Sequence, residues 1–235
     1  MTAPHSAVPS RSAPPNVTRE AAGGVPPSWG ADEHRIGTLA QLEALYGEPV
    51  APSLFKELDY IHPLYRPFVE KAPFVALATR GSGGMDCTPR GDQPGFVRVI
   101  DAHTVMLPDR RGNNRIDSLR NVVEDPHVAL LFLVPGVNEA MRINGRAQIS
   151  IDPELLASFA VDGKAPRSVL IVHVDRIYYQ CAKALTRSRL WDASTQIARS
   201  ALPSTGTIQS TMSRGAVDGE AYDRELPARI LAQLY

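Results

Sequence analysis

The sequence predicts a mainly β protein with flanking helices, built as a closed or split antiparallel barrel. Three observations favour this class. Short apolar or alternating segments of strand length recur between residues 74 and 179. Clusters of Gly, Pro, Asp and Ser separate most of them, as in hairpin turns. Few helical patterns interrupt the series, whereas a doubly wound parallel sheet needs a helix after nearly every strand.

The period of the apolar residues predicts each element in turn. Helical spacing marks two short segments near the start, 39–46 and 54–61. Strand patterns follow at 74–79, 85–88, 96–100, 103–107, 128–134, 140–149 and 168–179. Helical patterns return at 116–123, 153–159, 182–190 and 222–235. The continuous apolar run 128–134 predicts a strand covered on both faces, and Gly145 predicts a bulge or bend.

These elements divide the chain into four expected parts. Residues 1–30 are rich in Pro, Ala, Ser and Gly and predict a disordered or extended tail, because they bury too little apolar surface to offset the entropy of ordering. Residues 31–72 form a helical N-terminal extension. Residues 73–192 form the barrel domain, and residues 193–235 form a C-terminal extension with a terminal helix.

Composition limits the kinds of partner. The chain has 25 Lys or Arg and 25 Asp or Glu in 235 residues, so no global field attracts nucleic acid or an anionic membrane. The run 128–134 is far shorter than the roughly 20 residues of a membrane helix, and no signal pattern follows Met1. Cys87 and Cys181 do not make a disulfide framework, and their redox state stays open. The sequence therefore predicts a soluble cytoplasmic protein.

The stretch between the fourth predicted strand and the next helix concentrates groups that bind anions. It reads Asp109-Arg110-Arg111-Gly112-Asn113-Asn114-Arg115. A helix N-terminus offers unpaired N–H groups and a positive dipole, and arginine adds a fork of donors that matches phosphate oxygens. The stretch therefore predicts a site for a phosphate-bearing ligand. The alternative is a solvated turn in which one Asn caps the helix, since Asn, Asp and Gly are common in turns.

Several motifs follow one another in a fixed order between residues 71 and 191. They are Phe74–Thr79, Thr88–Asp92, the basic stretch Asp109–Arg115, Asp125-Pro126, Ile143–Ala147, Cys181–Leu185 and Arg187–Trp191. Each motif is weak alone, but their order and spacing together are specific. They resemble the FMN-binding split-barrel family related to pyridoxamine 5′-phosphate oxidase, especially its bacterial members of unassigned substrate.

The resemblance implies an FMN-binding split β-barrel, a homodimer with FMN at its interface, and redox chemistry on a small-molecule substrate. The phosphate ligands implied by position are Arg111, Asn113, Asn114 and Arg115, with Arg110 a weaker candidate. Residues implied to run past the ribityl chain and ring are Leu107 and Pro108. Those implied at the polar edge of the ring are Thr88, Pro89 and Arg90. On the helix after the last strand, Lys183 and Arg187 have near-helical spacing and are expected to reach the neighbouring flavin across the dimer. The alternative is that they cap the C-terminus of that helix. No residue stands out as a catalytic group.

The chain departs from pyridoxamine 5′-phosphate oxidase itself. The basic stretch has Asn113-Asn114-Arg115 in place of Ser-Arg-Lys-like residues, and no histidine follows His173 to make the C-terminal Arg-x-His motif. Oxidation of a B6 vitamer is therefore not predicted. The six histidines show no metal-ligand spacing, so no metal is predicted. Two alternatives stay open: a non-catalytic flavin or haem carrier or sensor, and a deazaflavin-dependent reductase.

Overall fold

The structure, a computed structural model, describes residues 34–235. The tail predicted for residues 1–30 lies outside the described residues. The chain divides into two compact units, Met1–Pro49 and Val50–Tyr235. The predicted boundaries between extensions and barrel, after residues 72 and 192, stay predictions.

The described part of the first unit contains one helix, α1 (Leu39–Tyr46). Thr38 begins it with a capping box: its hydroxyl accepts the Gln41 N–H at 3.2 Å, and the Gln41 side chain accepts the Thr38 N–H at 3.1 Å. Gly47 ends it at φ 69°, a left-handed value that glycine adopts without steric cost. The helix therefore lies where the sequence pattern predicts it.

The second unit contains all seven strands. Two short helices come first, α2 (Ala51–Phe55) and α3 (Arg66–Glu70). The strands are β1 (Phe74–Gly81), β2 (Gly84–Gly91), β3 (Arg98–Val99), β4 (Thr104–Asp109), β5 (His127–Leu133), β6 (Ala140–Ser150) and β7 (Ser168–Gln180). The remaining helices are α4 (Asp117–Glu124), α5 (Pro153–Ser158), α6 (Lys183–Ser188), α7 (Thr205–Met212) and α8 (Gly219–Ala232).

The strands form one antiparallel sheet in the order β2-β1-β5-β6-β7-β4-β3. Within the part of the chain that the structure describes, no ladder joins β2 to β3, so the sheet is not closed. The predicted class, a mainly β split barrel with flanking helices, is confirmed. The open edge of the barrel lies between β2, which carries Thr88, and β3, which pairs with β4.

The core lies on one face of the central strands, where alternate side chains are buried. Examples are Val75 and Leu77 in β1, Leu130 and Phe132 in β5, and Ile177 in β7, each at most 1% exposed. Burial of each such side chain stabilises the fold by about 1.5–3 kcal/mol. The barrel is thus a rigid frame that fixes the loops at its ends.

Gly145 has the role that the sequence predicts for it. The register of β6 against β7 shifts between Asn144 and Gly145, which marks a bulge. A Cβ atom at Gly145 would lie 2.1 Å from the carbonyl oxygen of His173, so the close approach of the two backbones requires glycine.

Two local predictions are wrong. The strand 128–134 is not covered on both faces, because the side of β5 that carries Leu131 leaves that residue 37% exposed. The helix predicted over 54–61 ends at Phe55, since Leu58 pairs with the backbone of Ile177 instead. One helix was not predicted: α7 lies within the C-terminal extension, and its N-cap Ser204 accepts the Thr207 N–H at 3.0 Å. Tertiary pairing of Leu58 ended the first of these helices early, and the Ser204 cap begins α7.

Candidate functional site

The basic loop, residues 110–116, leaves the end of β4 and enters α4. Because β4 pairs with β7, Asp109 lies opposite Ser168, and the loop runs beside the segment 164–167 that leads into β7. The backbone N–H of Arg167 donates to the Asp109 carbonyl at 3.4 Å. The Arg167 guanidinium donates to the Asn114 side-chain oxygen at 2.9 Å, and the two residues are 53 positions apart in sequence. The sheet register thus brings two basic segments together.

Two left-handed residues shape the loop. Asn114 has φ 59° and Ile116 has φ 51°, so they bracket Arg115. The backbone N–H of Arg115 donates to the Asn113 side-chain oxygen at 3.0 Å, which is an Asx turn. For a β-branched residue such as Ile116 the left-handed conformation costs about 1–2 kcal/mol. The strain is concentrated where the loop meets the helix.

The N-terminus of α4 has no side-chain cap. Its N-cap residue is Ile116, which has no side-chain oxygen, and the Asn cap expected of a solvated turn is not formed. Ile116 therefore gives the N–H groups of the first turn no side-chain acceptor such as Ser, Thr, Asp or Asn would supply. An anion beside the loop would be a suitable partner for them.

The three arginines of the loop differ in how their charge is balanced. Arg110 is 15% exposed and donates through Nε to Asp92 at 2.9 Å and through Nη1 to the Phe159 carbonyl at 2.9 Å. Arg115 is 70% exposed and contacts the Asp117 carboxylate at 2.9 Å. Among residues 34–235, no carboxylate lies within the 4.0 Å limit of an ion pair with Arg111. Arg111 thus offers the loop's unbalanced charge.

Asp92 is the buried partner of Arg110. It is 4% exposed and accepts hydrogen bonds from the Tyr235 hydroxyl at 2.7 Å and from the Gln93 N–H at 2.7 Å. Burial raises the pKa of Asp92, but the hydrogen bonds from Tyr235, Gln93 and Arg110 outweigh it and hold the pKa below its ordinary value. Asp92 is therefore a carboxylate at neutral pH, and its negative charge balances that of Arg110.

Hydrogen bonds hold the end of β2 against the first turn of α4. Arg90 donates to the Thr88 hydroxyl at 2.7 Å and to the Pro89 carbonyl at 3.0 Å. The Thr88 hydroxyl lies 3.0 Å from that of Ser118, which is 3% exposed and donates to the Asp86 carboxylate at 3.0 Å. The network fixes the side chains of β2 beside the loop. Sequence reasoning missed Ser118 and Asp86, because only the packing of α4 on β2 places them there.

Asp109 adds one partly buried negative charge to the same region. Its carboxylate lies 3.9 Å from Nη2 of Arg90. Burial raises the pKa of Asp109, and the attraction of Arg90 and Arg167 only partly opposes that effect.

The other predicted site residues lie in two different places. Leu107 is fully buried in the core and Pro108 is buried beside it, so neither residue presents surface to a ligand within one chain. Lys183 and Arg187 lie on α6, beyond Gln180 at the far end of β7, whereas the loop lies beside Ser168 at its near end. The Trp191 indole donates to the Val137 carbonyl at 2.8 Å, which anchors the segment after α6 at that far end. Within one chain, the basic loop and the pair Lys183 and Arg187 therefore lie apart.

A cavity of about 260 Å³ lies beside the loop. It is lined by Arg110, Arg111, Lys164, Ala165, Pro166, Arg167 and Tyr235. Sequence reasoning missed Lys164, Arg167 and Tyr235, because they are far from the loop in sequence. The one local signal was Asp162-Gly163, a pair typical of a tight turn that returns the chain.

Residues 34–235 contain no group of three or more His, Cys, Asp or Glu side chains placed to hold a metal ion. No helix in the same range is both long and apolar enough to cross a membrane.

Comparison with known proteins gives one family match. The sequence model of the family described as pyridoxamine 5′-phosphate oxidase matches residues 61–181. No curated protein matches the chain.

Three solved structures align in part with the structure of this chain. HupZ from Group A Streptococcus is 19% identical, with 51% of this chain and 93% of that chain covered and a TM-score of 0.41. General Stress Protein 26 from Bacillus anthracis is 18% identical, with 48% and 87% covered and a TM-score of 0.36. An FMN-binding protein from Syntrophomonas wolfei is 14% identical, with 60% and 97% covered and a TM-score of 0.38.

Proposed function

The chain belongs to the pyridoxamine 5′-phosphate oxidase family, and from this premise we propose that it binds FMN and acts as an FMN-dependent oxidoreductase on a small-molecule substrate. The observation that carries the proposal is the basic loop at the uncapped N-terminus of α4, with the unbalanced charge of Arg111. When bound, FMN would supply hydride or electron transfer. The residues present fit its phosphate, since they combine guanidinium forks, side-chain amides and helix N–H groups.

Four loop residues are assigned to the cofactor phosphate: Arg111, Asn113, Asn114 and Arg115. Arg111 has no competing carboxylate, and the Arg115 side chain is 70% exposed in its pair with Asp117, an interaction that phosphate can replace at low cost. Arg110 supports the loop instead, because both Asp92 and the Phe159 carbonyl hold its guanidinium.

The end of β2 is assigned to the flavin ring. Thr88, Pro89 and Arg90 follow one another on an edge strand, and the network through Ser118 fixes their orientation. A guanidinium near the polar edge of the ring stabilises negative charge on the reduced flavin and raises its reduction potential. Leu107 and Pro108 are assigned beside the ribityl chain on the family resemblance, since both are buried within one chain.

We assign Lys183 and Arg187 to the flavin of a second copy of the chain. Within one chain, α6 and the loop are separated by the length of β7, 13 residues or about 40 Å along the strand. A homodimer with FMN at its interface removes this separation, because each site then takes the loop from one copy and α6 from the other.

The phosphate assignment is tested with the double variant Arg111→Ala and Arg115→Ala. Each charge-assisted hydrogen bond contributes about 1.5–3 kcal/mol, so the variant should bind FMN at least about 100-fold more weakly. The measurement is fluorescence titration of the cofactor-free protein with FMN, alongside circular dichroism as a check of the fold. The matched control is Arg120→Ala, which removes an exposed arginine of α4 outside the loop and should bind FMN normally. Unchanged affinity in the double variant would refute the assignment.

The alternatives are separated by the visible absorption spectrum of the purified protein. Twin flavin bands with FMN released on heating support the proposal. A Soret band favours a haem protein, and a released deazaflavin favours the related reductase. Bleaching of the flavin by a reduced substrate distinguishes an enzyme from a carrier.

A further inference from the structure

The cavity beside the loop is a second place suited to an anion. Of the residues assigned to the cofactor phosphate, only Arg111 lines it, and Asn113, Asn114 and Arg115 do not. Its volume of about 260 Å³ is below the roughly 300 Å³ from which ligand pockets usually start. It therefore suits the anionic group of a small molecule better than a whole cofactor.

The far wall of the cavity is held in place by the backbone. Val161 and Lys164 exchange backbone hydrogen bonds of 3.1 and 2.9 Å around Asp162 and Gly163, whose φ values of 50° and 75° are those of a tight hairpin turn. Pro166 is buried, and the Arg167 N–H donates to Asp109. Lys164 and Arg167 are thus presented on a preformed edge rather than on a free loop.

The charge on the cavity wall is strongly positive. Four of its seven lining residues have basic side chains and none has an acidic side chain. Asp92 neutralises Arg110, which leaves Arg111, Lys164 and Arg167. Across the described range 34–235, no carboxylate lies within 4.0 Å of these three cations. Three carboxylates act on residues of the wall: Asp109 on Arg167, and Asp92 and Asp162 on Tyr235. None of the three lines the cavity.

Tyr235 supplies the remaining side. It belongs to the C-terminal extension, outside residues 61–181 that match the family. Its hydroxyl donates to Asp92, and the Arg110 guanidinium lies 5.3 Å from its ring centre. A buried carboxylate and a cation–π contact therefore fix the ring as an aromatic wall.

We propose that this cavity binds the carboxylate or phosphate group of the substrate, separately from the phosphate of FMN. Lys164 and Arg167 hold the anion, and Tyr235 closes the site, so the C-terminal extension takes part in selecting the ligand. The identification of the anion as substrate rests on the proposed function. The anion site itself rests on the cavity and its cations.

The test is calorimetric titration of inorganic phosphate into the full-length protein, once saturated with FMN and once free of it. We expect phosphate to bind the FMN-loaded protein. Lys164→Ala should weaken that binding by about tenfold or more, because it removes one charge-assisted contact, and should leave FMN affinity little changed. Lys164→Arg should restore it. Lys71→Ala, an exposed lysine outside the cavity, is the matched control.

A second variant, at Tyr235, tests whether the aromatic side of the cavity takes part in binding phosphate. Tyr235→Ala should weaken phosphate binding several-fold, whereas Tyr235→Phe retains the ring and should weaken it less. Circular dichroism and the thermal midpoint show whether each variant is folded. Equal phosphate binding in the wild type and in Tyr235→Ala would remove Tyr235 from the site.

The remaining outcomes separate the cavity from the cofactor. Phosphate that binds only the FMN-free protein and competes with FMN would show that the cavity holds the cofactor's own phosphate, which overturns the inference and leaves the proposed function standing. Binding in neither form, or binding that Lys164→Ala does not change, also overturns it. Lysine-dependent phosphate binding in a protein that takes up no FMN would keep the anion site and reject the flavin assignment.

Discussion

At the scale of single residues, Asp92 joins three parts of the chain. It follows β2, it accepts from the loop residue Arg110, and it accepts from Tyr235 of the C-terminal extension. Because Asp92 is 4% exposed and Arg110 15% exposed, both charges depend on each other for compensation. Loss of one partner of a buried pair leaves the other charge uncompensated, which costs about 3–5 kcal/mol.

We predict that Asp92→Asn lowers the free energy of unfolding by about 3 kcal/mol at pH 7. The folded pKa of Asp92 is lowered, so its stabilisation is present above the ordinary value of 3.8 and is lost as the pH falls through the folded pKa. The difference between wild type and variant should therefore shrink as the pH falls below 3.8. Urea unfolding between pH 7 and pH 2.5 measures it.

The control for this prediction is Asp175→Asn. Asp175 pairs with Arg146 at 3.0 Å, but the two side chains are 37% and 53% exposed. An exposed pair contributes about 0–1 kcal/mol, so this variant should stay near the wild type at every pH. An Asp92→Asn protein as stable as Asp175→Asn would show that the buried pair is not structurally important.

At the scale of elements, the junction between the basic loop and α4 combines an unfavourable conformation with an unused binding capacity. Ile116 is left-handed and supplies no cap, although a glycine or an asparagine there would be locally more stable. Backbone strain of this kind concentrates at ligand sites, because surrounding contacts hold a shape that the ligand needs. The strain supports the assignment of this junction to phosphate.

We predict that Ile116→Gly raises the free energy of unfolding by about 0–1.5 kcal/mol. Relief of the left-handed β-branched residue gains about 1–2 kcal/mol, and the added flexibility of the unfolded chain costs about 0.5–1 kcal/mol. Chemical denaturation measures the change. Ile100→Gly is the control, because Ile100 is 49% exposed against 46% for Ile116 but has no left-handed backbone. It should be destabilised, and a similar loss at Ile116 would contradict the prediction.

At the scale of the whole molecule, the separation of the loop from α6 requires a second copy if both serve one cofactor. The antiparallel register puts Asp109 beside Ser168 and Ala140 beside Gln180, so the two groups lie at opposite ends of β7. The proposed dimer can therefore be tested by complementation.

We predict that two defective variants restore FMN binding when they are mixed. One carries Arg111→Ala and Arg115→Ala, and the other carries Lys183→Ala and Arg187→Ala. In a dimer of one copy of each variant, one site receives both sets of substitutions and the other site receives neither. About half of the dimers in a random mixture are of this kind, so about one site in four should be intact. The stoichiometry of bound FMN after joint refolding measures this. No recovery on mixing would place Lys183 and Arg187 outside the flavin site.

The sequence by itself determined the features that depend on near neighbours along the chain. Alternating apolar residues located the strands, since side chains of a strand alternate between two faces. Gly145 marked the bulge, and the concentration of arginine and asparagine from Asp109 to Arg115 marked a candidate anion site. The order of the motifs was enough to indicate the family.

Only the tertiary structure decided the features that depend on pairing between distant segments. The register of β4 against β7 places Arg167 beside Asn114, and the path of the C-terminal extension places Tyr235 on Asp92. These contacts also decide that Arg110 is neutralised, whereas Arg111 keeps its charge. The charge available to a ligand depends on which charged side chains are in contact in the folded protein. Spacing along the sequence does not predict these contacts between distant residues.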